Sequence, residues 1–416
     1  MKIFDKENLH FLSTAPGNYI FKNTANKSEF GKFSSISYPD TSKTFYDLET
    51  IFLKIGVCEM KGWRITMEDS SLAVTNIDKK NSSLFGIMDG HNGSIVSKFI
   101  SNNLKNILVN SEYYKKENYE KALIESFLKI DEYLKNKNIK KFLLETEKKN
   151  KLKNFQGSPL LDYNNKLNEN YDENNNISQL YYDGKYLILN TSTLSSSKDY
   201  SDNDSNYSEK SEKINNNNNN FNFVDECGST ANIILINNKF IYIANVGDSL
   251  SLMYKNGKIY KLSNEHKTTS KSEIIRIKKF NKIKLINNRI DGKINITRAI
   301  GDFNYKKNVK LDPYDQIITS YPEVKKIQIS EDIDFIIMAS DGVWDCVDQQ
   351  KLCESIEKEL KENKNNKLSN IIGNIFDNII SKNNFSSIGT DNMSCIIIQF
   401  KNKKLCEIQE EEDDEN

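Results

Sequence analysis

The sequence predicts an α+β sandwich, a class built from antiparallel sheets whose helices stand in blocks of their own. Three observations carry that prediction. Short apolar, β-branched runs recur along the chain and close on Gly, Asp or Asn, as strands do. Segments with apolar residues at helical spacing stand between groups of these runs rather than alternating with them. An Asn-Gly pair joins two neighbouring runs at Asn256-Gly257, a two-residue hairpin signal that makes their pairing antiparallel.

Residues 1–50 are polar, contain Pro16 and Pro39, and hold no sustained period; they read as an extension. From Ile51 the texture changes. Strands are expected at 51–58, 70–75 and 84–88, the last running into Asp89-Gly90-His91-Asn92-Gly93. An amphipathic helix follows, with Val96, Phe99, Ile100, Leu104, Ile107 and Leu108 on one face. A second helix is expected over 118–136 from Ala122, Leu123, Phe127, Ile130 and Leu134.

Residues from about 140 to 222 are rich in Asn, Ser, Lys, Asp and Tyr and end in the run Asn215–Asn220. Their low hydrophobicity does not offset the entropy of ordering, so most of this segment is expected to be a disordered, low-complexity insertion. One short candidate strand, Tyr186–Leu189, stands inside it. Strand texture returns at 230–236, 239–246 and 250–254, and Asn256-Gly257 turns the chain into 258–262. Asp291-Gly292 marks another hairpin. Strands at 324–329 and 334–340, helices near 348–360 and 367–380, and a strand at 393–400 complete the body, followed by an acidic tail, 401–416.

Composition narrows the function. The chain has 416 residues with 58 Lys+Arg against 58 Asp+Glu, and this balance argues against a dedicated nucleic-acid binder. His10, His91 and His266 are the only histidines and are scattered, so no multi-histidine metal centre can be built. Metal chemistry here would rest on oxygen ligands, which favours Mg²⁺ or Mn²⁺ over zinc. Cys58, Cys227, Cys346, Cys353, Cys395 and Cys406 form no CxxC and no compact framework. They fit reduced thiols in an intracellular protein, cytoplasmic or nuclear. No apolar stretch approaches the ~18 residues of a membrane span. The N-terminal MKIFDKENLH has charges where a signal peptide needs its apolar core.

Five acidic clusters stand beside strand ends or glycines: Arg64-Ile65-Thr66-Met67-Glu68-Asp69, Asp89-Gly90-His91, Gly247-Asp248-Ser249, Asp341-Gly342-Val343-Trp344-Asp345 and Thr390-Asp391-Asn392. Taken singly, an Asp-Gly after a strand is a turn whose Asp bonds nearby backbone. Repetition behind apolar runs (SLFGIMDG, IYIANVGD, FIIMASDG) changes that reading. A strand that delivers a carboxylate to the edge of the core needs a partner for its charge, and few basic residues stand in these motifs. A hard divalent cation is the partner such a set would suit.

The ordered set GWRITMED (62–69), FGIMDGHNG (85–93), GSTA (228–231), ANVGDS (244–249), ITRAIGD (296–302), ASDGVWD (339–345) and TDNMS (390–394) resembles the metal-dependent protein phosphatases of type 2C over about residues 50–400. The resemblance implies a four-layer α/β/β/α sandwich of two antiparallel sheets flanked by helices. It implies one catalytic domain over 51–400, interrupted by the 140–222 insertion. It also implies a protein serine/threonine phosphatase using two Mn²⁺ or Mg²⁺ ions per site, with a third, weaker position.

Carried over residue by residue, Asp89 bridges both metals, Gly90 offers its backbone carbonyl, Asp341 and Asp391 are direct ligands, and Glu68 approaches them. Asp69, Asp248 and Asp345 match the third position. Arg64 matches the phosphate-binding arginine and His91 the general acid. A water bridging the two metals would attack phosphorus in line. The partners this implies are phosphoprotein substrates of a monomer, with no nucleic acid and no membrane span.

Several residues receive plainer readings. His266, within LSNEHKT, resembles a structural segment that pins the start of a flap, with Thr268 where the family has proline. Trp63 and Trp344 read as packing, and Thr297-Arg298 and Gly301-Asp302 as ordering the flap, with Asp302 able to reach a metal-held water. Asn92 stands where the family commonly has glycine, a place suited to positive φ. Leu250 replaces a basic residue at the expected rim. The alternative function is a catalytically silent scaffold or sensor on the same fold. Such relatives are expected to lose a ligand Asp or the arginine, and this chain keeps Arg64, Asp89, Asp341 and Asp391.

Overall fold

The computed structural model describes residues 37–156, 180–182, 187–189, 223–280, 283–363 and 365–401. Residues 1–36, most of the insertion with its asparagine run, and the acidic tail lie outside them. In chain order the elements are β1 (Asp40–Glu49), β2 (Leu53–Gly62), β3 (Ser70–Val74), β4 (Ser83–Met88) and β5 (Gly90–His91). Next come α1 (Ile95–Val109), α2 (Tyr119–Lys135) and α3 (Lys137–Gln156), then β6 (Gly228–Ser229), β7 (Ala231–Ile236), β8 (Phe240–Val246), β9 (Leu250–Lys255) and β10 (Lys258–Lys261). After α4 (Lys271–Ile277) and β11 (Ile300–Gly301) follow β12 (Glu323–Gln328), β13 (Ile333–Ala339), α5 (Asp341–Trp344), α6 (Gln349–Glu362), α7 (Leu368–Ile379) and β14 (Met393–Phe400).

The chain forms two compact units. The first, made of residues up to 71, 250–262 and 329 onward, holds a six-stranded sheet in the order β1-β2-β14-β13-β9-β10. Its pairs are antiparallel: Cys395 of β14 faces Cys58 on one side and Ala339 on the other. Alternate residues of this sheet, among them Cys58, Met60, Leu252, Phe335, Ile337 and Ile397, form one face. That face packs on Leu352, Ile356, Ile372 and Phe376 of α6 and α7. Burial of these side chains, each worth about 1.5–3 kcal/mol relative to exposure, holds the helices to the sheet.

The second unit, residues 72–249 and 263–328, holds a five-stranded sheet in the order β12-β8-β7-β4-β3. Leu84, Ile233, Leu235, Tyr242 and Ala244 pack against Phe99, Ile100, Leu104, Phe127 and Ile130 of α1 and α2. A small third sheet, β11-β6-β5, sits in the same unit. The expected α+β class, antiparallel sheets flanked by helices, is therefore present in both units.

Three local expectations change. Residues 40–49, read as part of an extension, form β1 along β2. No residue of β1 is fully buried; this edge strand is held by backbone pairing and by polar contacts to α7, Asp47 accepting from the Ser369 N–H at 3.0 Å and Lys43 pairing with Asp377 at 2.6 Å, and shows no hydrophobic alternation to read. The start of the insertion is helical through Gln156, anchored by buried Ile139 and Leu144; its Lys-rich composition hid good helix formers. Within the insertion Leu187–Leu189 is a strand, paired with Leu180–Tyr182. The hairpin near 291 turns instead at Asn287-Asn288, joining Leu285-Ile286 to Arg289-Ile290. Asp291 and Gly292, both at positive φ, make a tight turn after it. The Asn256-Gly257 turn is as expected, with φ of 52° and 73°.

Candidate active site

In the first unit β2 ends at Gly62, and the loop after it carries Arg64, Glu68 and Asp69. Asn392 holds this loop in place. Its Nδ2 donates to the carbonyls of Lys61 (2.8 Å) and Thr66 (3.1 Å), and its Oδ1 accepts from the Glu68 N–H at 2.9 Å. The neighbouring Asp391 accepts from Arg64 Nη2 at 2.5 Å.

β13 ends beside this point, and Asp341 opens the helical turn α5. A Cβ on Gly342 would stand 1.9 Å from the Asn392 carbonyl oxygen and 3.2 Å from the Asp391 Cβ. Only glycine therefore lets the Asp341 turn press against the Asp391 turn. The structure thus brings Arg64, Asp341 and Asp391 into one neighbourhood.

Asp69 is buried there, and its Oδ2 has no hydrogen-bond partner. Burial first, then the charge of Asp391, push its carboxyl up to about 7, and the nearby Ser340 hydroxyl offsets only part of this. Glu68 accepts from the Thr66 hydroxyl at 2.8 Å. Asp345 ends α5 with its N–H on the Asp341 carbonyl and its side chain exposed.

In the second unit β4 delivers Asp89. Its N–H donates to Thr230 Oγ1 (2.9 Å), and its carbonyl accepts from the Thr230 N–H (2.9 Å) and the Ser229 hydroxyl (3.1 Å). The small sheet then sets the register: Gly90 faces Ser229, His91 faces Gly228, and Gly301 faces Gly228 from the other side. That register brings Asp302 to His91, with Nε2 and Oδ2 2.8 Å apart and Asp302 buried. Asn92 has φ of 57°, as its place in the motif led us to expect, and its Nδ2 donates to the Glu226 carbonyl.

Asp248 is buried, 3.6 Å from the Lys267 ammonium, which also pairs with Glu265 at 2.8 Å. His266 is buried too. Its N–H donates to the Gly247 carbonyl, its own carbonyl accepts from Thr297, and its Nε2 lies 3.3 Å from Glu323. Burial lowers its pKa. It is a packing residue at the foot of the 263–328 segment.

Among the described residues, no three Asp, Glu, His or Cys side chains converge as a closed ligand group. Cations of the chain sit on the acidic positions instead, Arg64 at Asp391 and Lys267 near Asp248. The donor chemistry still fits a hard divalent ion. Every candidate ligand is a carboxylate or a backbone carbonyl, and the buried Asp69 oxygen offers lone pairs that no protein donor takes up.

Two residues that stand in the sequence motifs without an assigned role shape the site: Asn392, which positions the Arg64 loop, and Gly228, whose role is visible only in space. Asp302 was read as ordering the flap; its carboxylate contacts His91, a pairing 211 residues apart that no local pattern announces. Leu250 is no rim residue. It is buried at the start of β9, and its carbonyl accepts from the Trp344 indole at 3.0 Å. Trp344 is buried as expected, whereas Trp63 is half-buried and donates to the Ser381 carbonyl at 2.9 Å.

Comparison with known proteins points one way. The model of the family described as protein phosphatase 2C matches residues 53–151 and 164–388. "Probable protein phosphatase 2C 6" of Paramecium tetraurelia is 31% identical over 366 residues, covering 88% of this chain and 99% of the relative. "Probable protein phosphatase 2C 11" of Oryza sativa subsp. japonica is 30% identical over 366 residues, covering 88% of this chain and 90% of the relative. The fold is similar to the crystal structure of serine-threonine phosphatase 2C from Toxoplasma gondii. That similarity has a TM-score of 0.53 at 14% identity, over 86% of this chain and 99% of the other.

Proposed function

The chain belongs to the protein phosphatase 2C family, and from that premise we propose that it hydrolyses phosphoserine and phosphothreonine in proteins with the help of divalent cations. By family correspondence Asp89, the Gly90 carbonyl, Asp341 and Asp391 would hold two Mg²⁺ or Mn²⁺ ions, with Glu68 close by. Asp69, Asp248 and Asp345 would serve a third. When bound, such ions supply an activated water and neutralise charge on the phosphoryl oxygens.

The chain's own residues account for the rest. The Arg64 guanidinium rests on Asp391, and on exchanging that carboxylate for the substrate its fork can take two phosphoryl oxygens at once. A serine or threonine alkoxide leaves poorly and must be protonated. We assign that task to His91. Its Nε2 lies 2.8 Å from an oxygen of the buried Asp302 carboxylate, which orients the ring. The proton passed to the leaving oxygen then comes from Nδ1.

The observation that carries this reading is the His91–Asp302 pair: an imidazole oriented by a buried carboxylate, two residues beyond Asp89. The test is phosphate release from phosphoserine and phosphothreonine peptides with Mn²⁺ or Mg²⁺. Turnover abolished by EDTA and by Asp89→Ala is expected. Turnover that survives both, or none with either metal, would sink the proposal; the second outcome would leave a silent member of the fold.

A further inference from the structure

Helix α2 carries a buried acid that the proposed chemistry does not use. Asp131 Oδ1 accepts from the Gly301 N–H at 2.9 Å and from the Lys306 ammonium at 2.7 Å. Lys306 is buried as well and donates to the Ala299 carbonyl at 2.9 Å. Lys135 approaches the other Asp131 oxygen at 3.7 Å. One carboxylate thus grips the chain on both sides of Asp302, through residues 299, 301 and 306.

The gripped segment is conformationally demanding. Gly301 and Asp302 are both at positive φ, 83° and 52°; glycine takes this freely, whereas at Asp302 it is a left-handed conformation that few side chains adopt unless neighbouring contacts hold it. The Asp302 N–H is fixed to the Cys227 carbonyl at 2.8 Å. Its Oδ2 then reaches His91. A buried ion pair is a poor way to gain stability, since apolar residues of similar volume often do as well or better. Its use here, one residue from the partner of His91, calls for another reason.

We infer that Asp131 and Lys306 are positioning residues for proton donation: their ion pair holds the Gly301-Asp302 backbone so that the Asp302 carboxylate keeps His91 oriented toward the leaving group. The inference rests on the reading of His91 as the proton donor. It makes a demand that a merely structural role does not: the defect must depend on the leaving group.

The test measures turnover with Mn²⁺ on two substrates. A phosphoserine peptide needs a proton at its leaving oxygen; p-nitrophenyl phosphate, with a good leaving group, does not. The variants are Asp131→Asn, the paired exchange Asp131→Leu/Lys306→Met, and His91→Ala. If Asp131→Asn does not fold, the paired exchange carries the comparison, because it leaves no buried charge behind.

Peptide kcat is expected to fall at least ~10-fold with KM changed less than ~3-fold, while p-nitrophenyl phosphate kcat falls less than ~3-fold. In the His91→Ala background the exchange should cost nothing more. Equal losses on both substrates, or a further loss in that background, overturn the inference and leave the phosphatase reading standing. A wild-type protein inert on both substrates overturns the phosphatase reading, and the inference with it.

Discussion

Gly228 meets Asp302 so closely that a Cβ on the glycine would stand 2.3 Å from the Asp302 Oδ2 and 2.4 Å from the His91 Nε2. The pair of catalytic candidates therefore fits only because nothing projects from residue 228. Gly228→Ala should push the two side chains apart while leaving the helix-packed sheets intact. A displacement of about 1 Å at reacting groups can cost on the order of 100-fold. We expect a loss of that order in phosphopeptide kcat, measured beside a thermal unfolding curve. A full-activity variant would mean that the pair is not needed.

Arg64 rests on Asp391, in reach of an incoming phosphate only if it can exchange one acid for the other. Its side chain is more than half exposed, so this exchange costs little. Arg64→Ala should weaken inhibition by inorganic phosphate by roughly 10-fold or more, and Arg64→Lys by less, because an ammonium is a point charge without the fork. Inhibition constants measured across the three proteins decide it. Equal constants would remove Arg64 from phosphate binding.

Asp69 makes the metal-free protein less stable than it could be. With its carboxyl raised to about 7, the charged form is penalised in the folded state. The penalty is complete above pH 7 and disappears below the unfolded value near 4. Asp69→Asn in EDTA at pH 8 should therefore be more stable than the wild type by about 1–3 kcal/mol, an advantage that shrinks toward pH 4. The same change should diminish the rise in melting temperature that Mn²⁺ gives the wild type. Chemical denaturation and thermal shifts test both halves.

Glu273 gives the opposite pH dependence. Burial alone would raise its pKa, but hydrogen bonds and charge from Arg298 and Arg276 outweigh that and hold it at about 2. Its Oε2 accepts from Arg276 Nη2 (2.8 Å) and the Thr297 hydroxyl (2.8 Å), and its Oε1 from Arg298 Nη2 (2.6 Å). Because the folded value lies below the unfolded one, this stabilisation is present above pH ~4.5 and is lost as pH falls toward 2. The gap in unfolding free energy between wild type and Glu273→Gln should narrow by up to about 3 kcal/mol over that window. A constant gap would contradict the assignment.

Much of the fold was legible because its signals are local. The α1 and α2 faces, the strands ending at Met88, Val246 and Ala339, and the Asn256-Gly257 turn each follow from residue pattern within a few positions. β1 escaped because an exposed edge strand has no buried face to write into its sequence. α3 escaped because Lys-rich helix and Lys-rich coil look alike in composition.

The acidic positions, Arg64 and His91 belong to the same legible class. Each stands in a short motif beside a strand end, and their order along the chain carried the family resemblance. What holds them could not be read that way. Asn392 reaches back to the Arg64 loop, Gly228 makes room for His91 and Asp302, and Asp131 on α2 grips the backbone around Asp302. Those relations join residues far apart in the chain. They are decided by strand register and by atoms fitting at van der Waals distance, quantities that exist only once the chain has closed on itself.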